Sequence, residues 1–262
     1  MNMKIWMLGA LALIITGCSS SVKSAETSAV PSGQMEQKAD TMLFVGHKTV
    51  DAVPYLILRM NPEEAYVSMA DSVIPSESDS EIALCVEAAF TGELSKTFKS
   101  TNIGGDYVIE GTFRKGYKCR ANSGFLYADG RDVVISTLED YKTWIEKARK
   151  NHGTLFQQIL IVHRSKNVYR GFPIKPAMAN IYRSACVMAD GGFAVIQSQK
   201  PLPLRDFISA LIDMDVSDAL YLDMGTGWNY GWYRQTPASA PTKLFRYRTP
   251  YQTNWLLIKS KP

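Results

Sequence analysis

The feature that most constrains the fold is the order of patterns between residues 183 and 223. Residues 183–188 form a short apolar run typical of a strand, and Asp190-Gly191-Gly192 is typical of a tight turn into a second run. Residues 204–214 repeat apolar side chains at three- and four-residue spacing, which predicts a helix. Residues 218–222 then form another apolar run. We therefore expect a strand hairpin, a helix and a third strand within one packed unit.

The rest of the chain repeats this alternation of short apolar runs and turn residues. A second helix is expected at 138–151, and 100–116, which contains four glycines, is expected to be an irregular loop. Further strands are expected at 55–60, 65–69, 123–127, 158–162, 193–196 and 255–258. The apolar run at 81–90 favours a strand, with a helix as the alternative. The fold class predicted is α+β, with a mixed, mostly antiparallel sheet and a few helices packed on it.

The N-terminus has the organisation of a secretory signal. Lys4 precedes an apolar stretch at 5–15, which is far shorter than the roughly 20 residues of a membrane-spanning helix. The ending Ile15-Thr16-Gly17-Cys18 resembles the bacterial lipobox, and this resemblance implies cleavage before Cys18 and a lipid on its thiol. The alternative is an ordinary signal peptide with a chance cysteine.

These features divide the chain into a lipoprotein signal peptide at 1–17, a flexible tether at 18–41 and a folded domain at 42–262. The expected location is extracytoplasmic, with the lipid on Cys18 anchoring the protein to a bacterial membrane. Ser19 stands where an Asp often retains lipoproteins on the inner membrane, which favours the outer membrane if the cell has one.

Composition argues against several classes of partner. The net charge of +4 is spread along the chain, so no nucleic-acid partner is expected. The chain has three histidines and no CxxC pair, so neither a metal site nor another cofactor is expected. Cys85 and Cys119 are candidates for a disulfide in an oxidising compartment, which would leave Cys186 as a buried thiol.

Two motifs resemble the phosphodiester glycosidase family. Arg183-Ser184-Ala185 matches the Arg-Thr/Ser-Ala start of one family motif, and 218–223 (Asp-Ala-Leu-Tyr-Leu-Asp) matches the start of a second, Gly-rich one. The hairpin and helix between them also follow the family order. Weaker matches are 85–90, where the family has Ile-Asn-Gly-Gly-Phe-Phe, and 254–258, which resembles its closing strand. The resemblance implies an enzyme that acts on sugar phosphodiesters.

The chain departs from the family pattern at several glycines and at two polar positions. Glu87 replaces the family Asn, Ala88-Ala89 replace two Gly, Met224 replaces the first Gly after Asp223, and Trp228 replaces a Ser. Glycine lets a ligand approach the backbone closely, and larger side chains narrow that approach. An alternative register places Gly104-Gly105-Asp106-Tyr107 on the Asn-Gly-Gly-Phe motif.

Three residues fit the chemistry of cleaving a sugar from a phosphate. The leaving group is a phosphate monoester with a second pKa near ~6, so its departure needs a cation more than a strong acid. Arg183 could bind phosphate bidentately. Asp223 and Glu87 could serve as base and as stabiliser of an oxocarbenium-like centre. The structural alternatives are a salt bridge for Arg183, a turn residue for Asp223 and an arginine partner for Glu87.

Residues 225–234 interleave glycines with aromatic side chains directly after Asp223. Exposed aromatic rings on such a loop could stack on sugar rings, whereas the alternative is a core-closing loop. The substrate-binding residues predicted are Ser184, Gly225, Gly227, Trp228, Asn229 and Tyr230.

The sequence thus predicts a lipid-anchored envelope protein that hydrolyses a sugar-phosphodiester or related glycan linkage. The alternative is a non-catalytic glycan-binding or envelope-assembly lipoprotein on the same fold. The partners expected are a glycan or sugar-phosphate ligand and, through Cys18, a membrane.

Overall fold

A computed structural model describes residues 40–91, 103–224, 230–245 and 253–262. The predicted signal peptide, its lipidation site Cys18 and nearly all of the predicted tether lie outside these residues. In the described ranges, neither helix has the length and apolar character needed to cross a membrane.

The described residues form many short strands and two ten-residue helices, α1 (Tyr141–Lys150) and α2 (Leu204–Asp213). In chain order the strands are β1 (Leu43–Val50), β2 (Val53–Met60), β3 (Ala65–Asp71), β4 (Ile82–Glu87), β5 (Tyr107–Ile109), β6 (Thr112–Arg114), β7 (Gly124–Ala128), β8 (Val133–Thr137), β9 (Thr154–Gln158), β10 (Leu160–His163), β11 (Lys166–Asn167), β12 (Ala179–Asn180), β13 (Arg183–Met188), β14 (Phe193–Ser198), β15 (Leu202–Pro203), β16 (Val216–Tyr221), β17 (Gly231–Tyr233), β18 (Thr242–Lys243) and β19 (Asn254–Ser260).

Three larger sheets and one two-stranded sheet contain these strands. The largest has the order β1-β2-β14-β13-β16-β10-β11, and two five-stranded sheets have the orders β18-β17-β4-β19-β3 and β6-β5-β9-β7-β8. The fourth sheet pairs β12 with β15. Every ladder between the described strands is antiparallel.

The main core lies among the three larger sheets, where one apolar cluster takes side chains from all of them, including Leu58, Phe156 and Leu256. Helix α2 covers the opposite face of the seven-stranded sheet through a second cluster that includes Phe207 and Leu211. Helix α1 packs on the sheet that contains β7 and β9. Each helix therefore covers one sheet, and the sheets bury one another.

The predicted α+β class is wrong, because the fold is largely β. Strands account for 47% and helices for 10% of the described residues. The two helices were predicted at their observed places, but the eight-residue strand β1 was not expected, and strands of two or three residues were also missed. Such strands are too short to show a period of two, and neighbouring strands in the sheet determine them.

The expected irregular loop at 100–116 contains one of these missed elements, the β5–β6 hairpin. Ile109 pairs with Thr112, so the turn consists of Glu110 and Gly111 alone. Their φ angles are 46° and 81°, which is the pattern of a type I′ turn. Gly111 therefore marks a hairpin turn that matches the twist of its two strands.

The strand expected at 158–162 is divided between two sheets. Gln158 ends β9 in a five-stranded sheet, and Leu160 begins β10 in the seven-stranded sheet. Ile159 lies between them, and its carbonyl accepts a hydrogen bond from the backbone N–H of Tyr221 (2.9 Å). This crossing brings two sheets together beside the end of β16.

The β7–β8 turn is organised by the Asp129 carboxylate. One oxygen accepts backbone N–H groups of Arg131 (3.2 Å) and Asp132 (3.0 Å), and the other accepts the Asn151 amide (3.0 Å) and the Tyr127 hydroxyl. Burial by itself raises the pKa of Asp129, but these hydrogen bonds outweigh it and lower the pKa from 3.8 to about 2.

We expect Asp129→Asn to lower the free energy of unfolding at pH 7 by about 1 kcal/mol, since the carboxylate is partly exposed and solvent screens it. The Asp129 carboxyl group binds a proton more tightly in the unfolded chain than in the folded one. The stabilisation is therefore present above the unfolded pKa of 3.8 and is lost as pH falls through about 2. Urea unfolding from pH 7 to pH 2 measures it. The control is Asp132→Asn in the same turn, and an equal effect of both substitutions at every pH would contradict the prediction.

Candidate functional site

Two of the three predicted catalytic residues come together at one end of the seven-stranded sheet. Ser184, the second residue of β13, pairs with Tyr221 at the end of β16. The backbone N–H of Leu222 donates to the carbonyl of Arg183 (2.9 Å). Asp223 is the next residue, so this backbone pairing brings its main chain close to that of Arg183 although forty positions separate them in the sequence.

The third residue, Glu87, reaches the same place from another sheet. It ends β4, and the chain that follows contacts Asp223, whose backbone N–H donates to the carbonyl of Ala88 (3.1 Å). The Gln158 side-chain amide donates to the same carbonyl (3.3 Å). The Gln158 side chain and the Asp223 backbone thus hold the loop after Glu87 in place through the same carbonyl.

Arg183 is the electrostatic centre of this cluster. It has no exposed surface, and its Nε and Nη2 donate to Gln197 Oε1 (2.9 and 2.6 Å). Burial lowers the pKa of Arg183 to about 10, and the nearby groups of Glu87, Cys85 and Tyr221 oppose that change. The guanidinium remains a cation at neutral pH. Its Nη1 has no hydrogen-bond partner among the described residues.

Asp223 is also almost completely buried, at 5% exposure. Burial raises the pKa of the Tyr221 hydroxyl well above 10, and the charge of Asp223 raises it further. Burial likewise raises the pKa of Tyr117, followed by the effects of Cys119 and then of Asp223. Two phenol groups therefore accompany Asp223 and keep their protons at neutral pH.

Sequence reasoning missed three polar members of this cluster: Gln197, Tyr221 and Tyr117. Gln197 pairs directly with Arg183 across the β13–β14 hairpin, so the hairpin register could have identified it. Tyr221 lies inside a matched motif, but its position in an apolar run indicates only a strand residue. Tyr117 had no local signal, because it approaches Asp223 only through the tertiary fold.

The backbone at Ala89 and Met224 forms hydrogen bonds inside the protein. The Asn254 side chain accepts the N–H of Ala89 (2.7 Å) and donates to its carbonyl (3.0 Å). Met224 is 2% exposed and packs in the cluster beneath α2, while its N–H donates to the Tyr221 hydroxyl (2.9 Å). Alanine and methionine thus close the approach that glycines would leave open.

Ser184 does not share a face of its strand with Arg183. Side chains alternate along a strand, so Ser184 and Arg183 project from opposite faces of β13. The Ser184 hydroxyl lies 3.1 Å from the Cys186 thiol, whose side chain belongs to the cluster under α2. The structure does not bring Ser184 to the face that carries Arg183.

Among the predicted aromatic binding residues, Tyr230 is 5% exposed and its hydroxyl donates to Glu77. Trp232, which follows in the same segment, is fully buried beside Trp255. The rings of Tyr230 and Trp232 therefore help to close a core. A core-closing segment is the alternative to sugar stacking expected for 225–234. Gly225, Gly227, Trp228 and Asn229 lie outside the described residues.

The thiols do not form the suggested bridge. No disulfide joins Cys85 to Cys119, and Cys186 forms none with the other described cysteines. Burial raises the pKa of Cys186 to about 12, which leaves that thiol protonated and unreactive. In the described parts of the chain, no group of three or more His, Cys, Asp or Glu side chains is arranged to hold a metal ion.

The alternative register for the Asn-Gly-Gly-Phe motif lies next to the preferred one. The N–H of Gly104 donates to the carbonyl of Phe90 (2.7 Å), and Thr91 forms an isolated antiparallel bridge with Ile103. The 103–107 segment therefore lies against the end of the 85–90 segment, and both border the Glu87–Asp223 region.

Comparison with known proteins identifies the fold. No family model and no curated protein sequence matches the chain. Among solved structures, the catalytic domain of zebrafish N-acetylglucosamine-1-phosphodiester α-N-acetylglucosaminidase, auto-inhibited by its pro-peptide, matches with a TM-score of 0.54 and 12% identity, covering 84% of this chain and 82% of that one. A hypothetical protein from Synechocystis matches with a TM-score of 0.48 and 11% identity, covering 84% of this chain and 62% of that one. The chain therefore shares its fold with the zebrafish catalytic domain.

Proposed function

We propose that the cluster of Arg183, Glu87 and Asp223 binds a sugar phosphodiester and hydrolyses its glycosidic bond. One observation supports this most directly: Glu87 and Asp223 both act on the buried Tyr221 hydroxyl, and both Glu87 and Tyr221 lie near the buried Arg183 guanidinium. The guanidinium keeps one nitrogen without a hydrogen-bond partner among the described residues. The shared fold with a phosphodiester glycosidase supports the reaction class by analogy.

The chemistry divides between the cation and the two carboxyl groups. Water attacks the anomeric carbon and gives a proton to the Asp223 carboxylate, while the bond from that carbon to the phosphate oxygen breaks. The bonding electrons stay with the phosphate, and Arg183 stabilises the charge that develops there. The products are a free sugar and a phosphate monoester. The second carboxylate stabilises the positive charge on the sugar ring in the transition state.

Turnover of N-acetylglucosamine-1-phosphodiesters by the full-length protein tests the proposal. Asp223→Asn keeps the shape of the side chain and should reduce kcat by about 10²–10⁴-fold, since the positioned base is lost. Asp190→Asn is the matched control, because Asp190 is exposed and pairs with Arg59 in a distant turn. Equal activity of Asp223→Asn and the unaltered protein would contradict the proposal, as would the absence of turnover on every sugar tested.

A second function is favoured by the closed backbone around Ala88, Ala89 and Met224. Their buried side chains and bonded backbone groups leave less room than glycines would, which suits a glycan-binding protein without turnover. Calorimetric titration with a non-hydrolysable sugar phosphonate separates the two functions. Binding that Arg183→Lys weakens, in a protein without turnover, would support this second function.

The predicted lipid on Cys18 and a location at the cell envelope remain part of the proposal. A lipid at that position would hold the domain beside a membrane, within reach of envelope glycans. Mass measurement of the mature protein from a bacterial membrane fraction tests it. A lipid-modified N-terminal cysteine supports the anchor, and an unmodified chain that begins elsewhere argues against it.

A further inference from the structure

An ordered loop at 168–180 exposes two large apolar side chains to solvent. Phe172 is 61% exposed and Met178 is 52% exposed. The other large apolar side chains with comparable exposure among the described residues, Val73 and Phe113, lie on unrelated segments. Single exposed apolar residues are common, but two on one short loop that also carries cations point to an interaction surface.

The loop is held in place at several points. The Tyr169 hydroxyl accepts a hydrogen bond from the N–H of Ile174 (2.8 Å) and donates one to its carbonyl. These bonds tie the two ends of the 169–174 segment together. The Tyr182 hydroxyl donates to the carbonyl of Met178 (2.6 Å). The side chains of Tyr169 and Ile174 pack against the cluster beneath α2. The exposure of Phe172 and Met178 is therefore built into the loop.

Positive charge surrounds these apolar side chains. Arg170 and Lys175 flank Phe172 and are exposed, and the sequence from 164 to 189 contains no Asp or Glu. Arg205, also exposed, joins the surface at the start of α2, where its N–H donates to the carbonyl of Pro176 (3.1 Å). Asp206 is the acidic neighbour, and it pairs with Arg205 at 3.3 Å.

We propose that the 168–180 loop and Arg205 form a docking surface for an anionic lipid bilayer. The cations contact lipid phosphates, and Phe172 and Met178 enter the boundary between headgroups and acyl chains. A basic, apolar surface of this kind gains from both electrostatic attraction and apolar burial. None of the residues of this surface belongs to the proposed catalytic cluster, so the inference does not rest on the proposed hydrolysis. It would orient the domain on the membrane to which the lipid proposed for Cys18 tethers it.

Vesicle co-sedimentation tests this surface. The protein is the full-length chain with Cys18→Ser, which cannot carry the lipid, and all variants share that background and its N-terminal apolar stretch. Binding to mixed phosphatidylglycerol–phosphatidylcholine vesicles should exceed binding to phosphatidylcholine alone. Replacing both Arg170 and Lys175 by Ser should reduce the partition coefficient by about 25-fold, since each cation near an anionic surface contributes roughly 5-fold.

The apolar part of the surface has its own variant and control. Replacing both Phe172 and Met178 by Ser should weaken binding by about tenfold or more, because apolar burial in the bilayer is lost. Replacing both Val73 and Phe113 by Ser removes the same number of exposed apolar side chains elsewhere and should have little effect. Hydrogen exchange should show vesicle-dependent protection at 168–180.

Three outcomes would overturn the inference. Equal binding to neutral and anionic vesicles excludes the role of the cations. Equal losses for the Phe172–Met178 and Val73–Phe113 pairs exclude a specific surface. Self-association that disappears when Phe172 and Met178 are replaced, without vesicle protection of the loop, would assign this surface to a second copy of the chain.

Discussion

Replacing Glu87 by Leu should lower the free energy of unfolding by about 3–5 kcal/mol, because it leaves the Arg183 cation buried without its neighbouring carboxyl group. Arg183 and Glu87 have no exposed surface, and the Glu87 charge opposes the effect of burial on the pKa of Arg183. Arg183→Met should cost a similar amount for the reciprocal reason. Denaturant unfolding, followed by tryptophan fluorescence, measures both values.

The double variant gives the sharper result. Glu87→Leu combined with Arg183→Met removes both buried polar groups, so it should recover a large part of the stability that either single change loses. Arg59 and Asp190 provide an exposed ion pair for comparison. Arg59 Nη2 lies 2.6 Å from Asp190 Oδ2, and the two side chains are 42% and 59% exposed. Arg59→Met should cost no more than about 1 kcal/mol. Additive losses in the double variant would show that Arg183 and Glu87 do not interact, and would remove the geometric basis of the proposed site.

Trp232→Ala should also destabilise the domain by about 3–5 kcal/mol, because it leaves a large cavity in a closed core. Trp232 is fully buried and packs with Cys85, Trp255 and Leu257 on the sheet that contains β4. The Arg234 guanidinium lies 5.3 Å from the centre of its ring and donates to the backbone carbonyl of Glu77. Thermal unfolding, with denaturant unfolding for the magnitude, measures the loss.

Phe113→Ala is the matched control for this prediction, since the Phe113 ring is 41% exposed on the β5–β6 hairpin. Its effect should stay within about 0.5–1 kcal/mol. If Trp232→Ala leaves stability unchanged but abolishes glycan binding, the aromatic segment at 230–234 serves a ligand. The core-closing role described for Trp232 would then be wrong.

The candidate site was predictable to the extent that it lies in regular strands. Arg183 and Asp223 were identified from two motifs, and the strands and the helix between them form as expected. The registers of β13 with β14 and β16 then determine their neighbours, Gln197 and Tyr221. These partners follow from strand pairing, but an isolated sequence does not state which strands pair.

Other members of the site depend on long-range contacts. Asn254 lies 165 positions from Ala89, and its amide bonds both backbone groups of that residue. Ser184 shares a motif with Arg183, yet strand alternation turns it to the opposite face. Tyr230 follows a glycine-rich stretch that suggested an exposed loop, but its ring is buried and its hydroxyl meets Glu77.

The sequence by itself determined the local structure of this protein wherever an apolar run was long enough to show its period. Both helices, the β7–β8 hairpin and strands β2, β3, β13 and β14 are of this kind. Only the tertiary structure decided that three sheets bury one another and that Glu87 joins Arg183 and Asp223. The physical reason is that hydrophobic periodicity indicates which face of a helix or strand is buried, whereas the element that packs against that face depends on how the whole chain folds.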